Sequence, residues 1–223
     1  EVTANDRYTA DRWKVPHSES DNWKFERIYR INFFLSEALP KFGEDMSGSQ
    51  NTISGSVATI KHYIGEMYFL RAYEYFKKLQ LFGDFPIINQ PLADEMEALR
   101  EASKRFPRNE VARFIISDLD KAYAYMSDVD MATTRINKDV AMLVKSRVAL
   151  FEATWLQNFK GTAFVPGGEG WPGASLHNNY QYPSGNLDNE VKYFLEQAVE
   201  ASKLVADKYK GNLTENTGVL QQS

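Results

Sequence analysis

The chain has 223 residues, of which 43% are hydrophobic and none is cysteine, and its formal net charge is −4. This composition is ample for a packed core and does not indicate disorder. The lack of cysteine excludes disulfides, thiolate nucleophiles and thiolate metal sites. The acidic balance, without clustered basic stretches, disfavours nucleic-acid binding. No apolar run is long enough to span a bilayer, and no export signal opens the sequence, so we expect any such signal to lie outside it.

Residues 1–20 form an irregular first segment, which carries Trp13 among polar residues and has no clear period. We expect Asp21 to cap the first helix and Pro40 and Gly43 to close it. The apolar stripe of this helix comprises Phe25, Ile28, Asn32, Leu35 and Leu39. Residues 43–55 are rich in Ser, Gly and Asn, which predicts a loop.

The second predicted helix is long and ends near Leu81. Gly83 suits the left-handed position just past a helix end, and Pro86 prevents the helix from resuming. Two apolar ridges at helical spacing predict that this helix is covered on two sides. The ridges comprise Ile60, Ile64, Met67, Ala72, Phe76 and Leu79 on one face, and Tyr63, Leu70 and Tyr73 on another.

Glu66 and Arg71 are charged residues within this apolar helix. Unpaired charges are costly in a core, so we expect partners on neighbouring helices. The candidate partners are Asp118, Glu110 and Arg147. We interpret the two charges as a structural brace rather than as catalytic groups.

Three further helices are predicted. Pro107 favours the first turn of the third predicted helix, and Asn137 can cap the fourth. Residues 187–189 open the fifth, and Gly211 lies just past its end. Their stripes comprise Val111, Phe114, Ile115, Leu119, Ala122 and Met126; Val140, Val144, Val148, Phe151 and Trp155; and Val191, Leu195, Ala198, Val199, Leu204 and Val205. No segment of comparable length alternates with period two, so the predicted class is all-α.

The organisation indicates a single helical domain over residues 1–223. Its motif-bearing helices occupy 21–159, a loop rich in Gly, Pro and aromatic residues occupies 160–188, and a further repeat helix occupies 189–210. The helices arrive in antiparallel pairs with small residues recurring among large ones. This pattern favours tetratricopeptide-like stacked helix pairs joined by long irregular loops.

The candidate motifs for catalysis, cofactors or metals lack the structural context or the residues that they require. Residues 168–173 match the spacing G-x-G-x-x-G, but a helix precedes them and none follows closely, so we interpret them as a glycine-rich loop. The three histidines are far apart, and Asp128 and Asp130 lack the rest of a calcium loop. We therefore expect no metal, no cofactor and no catalytic residue.

The candidate ligand-binding residues are aromatic and amide side chains that no helical stripe explains. Flat aromatic faces can stack on the C–H bonds of a sugar ring while amides bond its hydroxyls; the alternative is that the rings fix the loop onto the helices. These candidates comprise Trp171, Tyr180, Tyr182, Asn178, Asn179, Gln181 and Trp13.

Four pieces of sequence carry a family resemblance. Residues 66–86 read EMYFLRAYEYFKKLQLFGDFP, and this run resembles the signature of the SusD/RagB family. Three further pieces are similar to family helices in the same order: 23–32, WKFERIYRIN; 105–122, RFPRNEV followed by IISDLDKA; and 141–155, with Arg147, Leu150, Phe151, Ala153 and Trp155 at the matching positions.

The resemblance implies an all-α protein, lipid-anchored on the outer face of the outer membrane of Bacteroidetes. Such a protein captures glycans, or peptides in RagB-like branches, and caps a SusC-like TonB-dependent transporter. Family members are about twice this length, so we expect an interior piece that lacks the lipid anchor and a large C-terminal half. The matched motifs belong to the scaffold, and no ligand contact is carried over by position.

We therefore predict non-catalytic binding of glycan nutrients at the cell surface and their delivery to a SusC-like transporter. A tetratricopeptide-type adaptor for another protein and a peptide-binding importer component are alternatives. The third alternative is a helical glycoside hydrolase, which needs two carboxylates in a cleft.

Overall fold

The computed structural model describes residues 21–43, 45–127 and 134–212; Trp13, Asp128 and Asp130 lie outside these ranges. The described residues form six α-helices and three short 3₁₀ helices, and no strand. The α-helices are α1 (Glu26–Phe42), α2 (Val57–Phe82), α3 (Met96–Ala102), α4 (Arg108–Tyr125), α5 (Lys138–Asn158) and α6 (Leu187–Tyr209). The 3₁₀ helices are Asp21–Trp23, Pro172–Ser175 and Lys210–Asn212.

The five long helices stack in chain order, each antiparallel to the next. Helix α1 packs on α2, α2 on α4, α4 on α5 and α5 on α6. Side-chain pairs between helices show the direction: Arg71 of α2 meets Asp118 of α4, and Arg108 at the start of α4 meets Glu152 near the end of α5. The predicted class, all-α with stacked helix pairs, is confirmed.

The ends of α1 differ from the prediction. Asp21 belongs to a 3₁₀ turn, and α1 begins only at Glu26, so the predicted cap is wrong. Trp23 packs edge-on against Phe82 and Phe85. These contacts fix the position of the segment that precedes α1. Pro40 lies inside the helix, which continues to Phe42.

Helix α2 ends as predicted, with Gly83 at φ 68° and its N–H donating to the Leu79 carbonyl at 3.0 Å. The first predicted ridge lies in or against the core. The second is wrong at two positions, because Tyr63 and Tyr73 are 40% and 42% exposed. The second buried face is carried instead by Tyr68, Arg71 and Tyr75.

Arg71 is the centre of a buried polar network between α1, α2, α4 and the extended segment after α2. Its guanidinium donates to both carboxylate oxygens of Asp118, at 2.6 and 2.8 Å, and to Asn32 Oδ1 at 2.9 Å and the Asn89 carbonyl at 3.0 Å. Tyr75 exchanges hydrogen bonds with Ile88 at 2.7 and 3.0 Å. The predicted brace between Arg71 and Asp118 is confirmed.

Glu66 is held differently from the prediction. Its carboxylate accepts hydrogen bonds from Arg135 and from the Ile136 N–H, and His62 lies 3.6 Å away. None of these partners was among the candidates. Arg135 and Ile136 belong to the connection into α5, whose path the helical pattern alone does not specify, and His62 lies one turn before Glu66 on α2.

Helices α5 and α6 begin where the sequence predicts, but their predicted stripes are only partly buried. Asn137 caps α5 by accepting from the Val140 N–H at 2.9 Å. Val140, Leu195 and Val199 lie in the predicted stripes yet are 38%, 38% and 63% exposed. The buried face of α5 includes Ala141, Met142, Lys145, Val148, Ala149, Glu152, Ala153 and Leu156.

The segment between α2 and α4 contains an element that the sequence pattern missed. The short helix α3 has no buried residue, so it leaves no apolar stripe to detect. Phe85 and Phe106 pair through two backbone hydrogen bonds of 3.1 Å, which bring the end of α2 and the start of α4 together. Within the ranges that the structure covers, no helix is long and apolar enough to cross a membrane.

Replacing Asp118 by Asn should lower the free energy of unfolding by about 3–5 kcal/mol, because the substitution leaves the buried Arg71 guanidinium without its counter-charge. Urea denaturation monitored by circular dichroism measures the change. Asp207→Asn is the control, because Asp207 forms an exposed pair with Lys203 at 3.8 Å; its loss should cost less than about 0.5 kcal/mol. Equal losses in the two variants would contradict the brace.

Candidate functional site

A cavity lies where the end of α2, the start of α4 and the loop after α5 meet. We call it the loop cleft; its volume is about 480 Å³, and its lining includes Phe82, Asp84, Arg105, Trp155, Phe164 and Trp171. Ligand sites for small molecules have volumes of roughly 300–1,000 Å³ and combine apolar walls with a few polar groups. The loop cleft has both properties.

The loop forms one wall because it folds back on itself after α5. The Glu169 N–H donates to the Gly161 carbonyl at 3.1 Å, and the Trp155 indole donates to the Phe164 carbonyl at 3.0 Å. A Cβ at Gly168 would lie 1.9 Å from the Thr162 carbonyl oxygen. Gly168 therefore allows a close backbone approach, which accounts for one glycine of the rejected nucleotide motif.

Trp171 ties this loop to the scaffold. Its indole N–H donates to Asp84 Oδ2 at 2.7 Å, while Asp84 Oδ1 accepts from the Arg108 N–H at 2.9 Å. Burial raises the pKa of Asp84, and these two hydrogen bonds oppose that rise. The side chain of Trp171 is only 5% exposed, so most of its surface packs within the chain.

Three of the predicted site residues come together in one aromatic cluster: Trp171, Tyr180 and Tyr182, joined by His177. The ring centroids of Trp171 and Tyr180 are 5.6 Å apart, and those of Tyr180 and Tyr182 are 5.1 Å apart. The Tyr180 hydroxyl donates to Asn109 Oδ1 at 3.0 Å, and the Tyr182 hydroxyl donates to the Pro166 carbonyl at 2.6 Å. Burial raises the pKa of both phenols, so each remains a protonated donor.

The predicted amides are placed apart from this cluster. Asn178, Asn179 and Gln181 are exposed, and none of them lines the loop cleft. Asn179 has φ 54°, and its carbonyl accepts from the Gln181 amide at 3.3 Å. Trp13, the remaining candidate, lies outside the described residues.

Phe164 and Arg105 line the loop cleft but are not among the site residues predicted from the sequence. Phe164 is 60% exposed and offers the most open aromatic ring in the cleft, although it sits in the same glycine-rich loop that drew attention to Trp171. Arg105 lies in a matched scaffold motif, and its guanidinium stacks 4.7 Å from the Trp23 ring centre. Considering every loop aromatic, phenylalanine included, would have found Phe164.

A buried ionic network anchors the far end of the loop. Arg113 donates to both oxygens of Glu190, at 2.7 and 2.8 Å, and Glu190 also accepts from Asn109 at 3.0 Å and from the Ser184 N–H at 3.1 Å. Burial raises the pKa of Glu190, but these hydrogen bonds outweigh it and hold the pKa below its ordinary value. The arrangement fixes the loop between α4 and α6.

Around these groups the described part of the chain offers no metal centre. No group of three or more His, Asp or Glu side chains is arranged to hold a metal ion within it. Asp84 is the single acidic residue lining the loop cleft, and both of its oxygens already accept hydrogen bonds from the chain.

Comparison with known proteins identifies the family. A model for SusD-like proteins, described as starch-binding associating with outer membrane, matches residues 4–150. The chain therefore belongs to the SusD-like family. The matched range covers α1 to α4 and part of α5, whereas the loop wall of the cleft and α6 lie beyond it.

Individual relatives are more distant. SusD-like protein P2 of Formosa agariphila is 30% identical over 100 residues, which is 45% of this chain and 19% of that protein. A solved laminarin binding SusD-like protein has a TM-score of 0.47 at 20% identity, with 61% of this chain and 27% of the other covered. A SusD-like carbohydrate binding protein from Bacteroides vulgatus has a TM-score of 0.47 at 18% identity, with 83% and 30% covered. The chain thus spans less than a third of the length of each of these proteins.

Replacing Glu190 by Gln should lower the free energy of unfolding at pH 7 by about 1.5–3 kcal/mol, because charged hydrogen bonds are lost. The folded pKa is depressed, so this contribution is present above the unfolded pKa of about 4.3 and is lost as the pH falls through the folded pKa. The gap between wild type and variant should therefore close towards acid pH in a series of urea titrations.

Glu196→Gln on the same helix is the control, because Glu196 is exposed and lies 3.8 Å from Lys192. Its stability should follow the wild type at every pH. A gap for Glu190→Gln that is unchanged at acid pH would refute the ionic anchor.

Proposed function

We propose that the full-length protein is a non-catalytic glycan-binding protein of the cell surface that delivers its ligand to a SusC-like TonB-dependent transporter. Membership of a family described as starch-binding associating with outer membrane carries this proposal. Lipid anchoring on the outer face of the outer membrane is part of the same proposal. The solved relatives whose names state laminarin or carbohydrate binding agree with it.

The loop cleft supports glycan binding at the level of chemistry. Phe164 presents an open aromatic ring for the C–H face of a sugar, and Arg105 places N–H donors at the same cleft. Stacking on an aromatic ring contributes roughly 0.5–1.5 kcal/mol beyond area burial. A few such contacts give weak capture, which repeated sugar units strengthen through avidity.

In this proposal the aromatic cluster supports the site rather than forming its open surface. Trp171, Tyr180 and Tyr182 hold the loop in place through their hydrogen bonds and ring contacts, and Trp171 also lines the cleft. The exposed amides remain proposed partners for sugar hydroxyls beyond the cleft, and they comprise Asn178, Asn179 and Gln181. Trp13 remains a proposed contact as well.

Binding without bond cleavage fits the cleft better than hydrolysis does. Glycoside hydrolases use two carboxyl groups that flank the scissile bond. Among the described residues, one carboxylate lines the loop cleft: that of Asp84, whose two oxygens accept hydrogen bonds from Trp171 and Arg108. The proposed mechanism is therefore capture and transfer to the transporter.

Isothermal titration of the full-length protein with a panel of polysaccharides tests the proposal. Phe164→Ala should weaken binding of the ligand about 3- to 10-fold, because a stacking contact is lost. The matched control is Phe33→Ala, since Phe33 is 52% exposed on α1 and outside the loop cleft. This control should bind like the wild type, and circular dichroism should show both variants folded.

Three results would overturn parts of the proposal. If no glycan gives heat while the transporter co-purifies with the protein, capture is wrong and an adaptor function replaces it. New reducing ends after incubation with a glycan would contradict binding without catalysis. Equal affinities of the Phe164→Ala and Phe33→Ala variants would place the site elsewhere than the loop cleft.

A further inference from the structure

A second cavity, which we call the basic cleft, lies beside the loop cleft. Its volume is about 470 Å³, and it is bounded by the segment before α1, the first turn of α1 and the last turns of α2. Its charged lining consists of Lys24, Arg27, Lys77, Lys78, Glu26 and Glu74. Among the described lining residues, four cationic side chains meet two carboxylates, although the chain as a whole carries a net charge of −4.

Lys78 is the most unusual of these cations. It is 7% exposed, and its ammonium group donates to the Asn22 carbonyl. No carboxylate of the described residues lies within ion-pair distance of it. Burial lowers the pKa of Lys78, and the nearby Lys77 and Arg27 lower it further while Glu74 raises it. An ammonium group has three donors, and the described residues give that of Lys78 one carbonyl acceptor, so it can also donate to an added anion.

The two carboxylates do not neutralise this cleft. Glu74 Oε1 is shared between Arg27 at 3.1 Å and Lys77 at 2.9 Å. Glu26 accepts from Arg30 at 2.6 Å, so part of its charge is balanced by a residue that does not line the cleft. Among the described residues, Arg27, Lys77 and Lys78 therefore carry an excess of positive charge in the cleft, without counting Lys24.

The basic cleft and the loop cleft share one lining residue. Leu81, at the end of α2, is 57% exposed and lines both cavities. Arg105 lines the loop cleft, and its guanidinium stacks on Trp23, the residue next to Lys24. Arg105 has no carboxylate partner among the residues that the structure describes. Cationic groups thus line both clefts, which adjoin at the end of α2.

We propose that the ligand of these adjoining clefts is an anionic glycan, with its sugar rings in the loop cleft and its carboxylate or sulfate groups on Arg105 and in the basic cleft. This inference rests on the proposed glycan-binding function. A guanidinium recognises carboxylate and sulfate oxygens through paired N–H donors, and lysines attract the same groups as point charges. A neutral glycan would leave the basic cleft unused.

Matched ligand pairs separate charge from backbone chemistry. The full-length protein is titrated with polygalacturonate and with fully methyl-esterified polygalacturonate, which share a backbone and differ in charge. Dextran sulfate and dextran form the corresponding pair for sulfate. We expect at least one anionic member to bind about tenfold or more tightly than its neutral partner. This preference should shrink as salt rises from about 50 to about 500 mM, because screening weakens exposed charge interactions.

The variant Lys77→Gln/Arg105→Gln should lose about tenfold or more of its affinity for the anionic member and keep its affinity for the neutral one. The control is Lys192→Gln/Arg147→Gln, which removes the same two charges from exposed positions on α6 and α5 outside both clefts. Because both double variants change net charge equally, a non-specific charge effect would weaken both alike.

Failure of the anionic-glycan inference and failure of the proposed glycan binding give different results. Equal binding of charged and neutral members, or equal losses in the two double variants, would overturn the anionic inference and leave glycan binding standing. Selective binding of a neutral glycan would do the same. If the wild type binds no member of either pair and no glycan of the wider panel, both the inference and the proposed function are wrong.

Discussion

The bidentate contact between Arg71 and Asp118 is the interaction on which this structure depends. It joins the central helix α2 to α4, and the same guanidinium reaches Asn32 of α1 and the carbonyl of Asn89. A buried arginine with a missing partner is strongly destabilising, so only a stack with these elements in register can hold the charge. The hydrophobic effect supplies the driving force for burial, whereas this network selects one arrangement of the helices.

Buried pairs of arginine and carboxylate recur along the helix stack, and one of these arginines also contacts the candidate site. Arg108 pairs with the fully buried Glu152 between α4 and α5, and Arg113 pairs with Glu190 between α4 and α6. Helix α4 thus supplies a cation to each of its later neighbours. The backbone N–H of Arg108 also holds Asp84, which in turn receives the indole N–H of Trp171. The loop cleft is consequently built from scaffold residues on one side and from an anchored loop on the other.

The sequence was sufficient to predict the helices with long apolar patterns and the cap of α5 at Asn137, because both depend on local spacing. It was also sufficient to predict the brace between Arg71 and Asp118, because an unpaired buried charge is costly. It was only partly right for the buried faces of α5 and α6, because Val140, Leu195 and Val199 of the predicted stripes are exposed. The buried face of α5 holds three alanines together with Lys145 and Glu152, since small side chains let the helices approach and the charges find partners across the interface. A ranking by hydrophobicity selects Val140 and Val199 instead. Which ring of the loop is open, Phe164 rather than Trp171, depends on the partner that Asp84 provides and is therefore a tertiary property.

The two clefts divide the proposed recognition between forces with different ranges. Stacking on Phe164 acts at contact distance and depends little on salt, whereas the cations around Lys78 act over about a Debye length, roughly 8 Å at physiological ionic strength. A net acidic protein that concentrates positive charge in one cleft repels polyanions over most of its surface and attracts them at that place. In the proposed mode, charge would thus bring an anionic chain to the end of α2, and ring contacts in the loop cleft would then hold it. Because the basic cleft is formed by α1 and α2 and the aromatic wall by the loop after α5, the two contributions can change independently of each other.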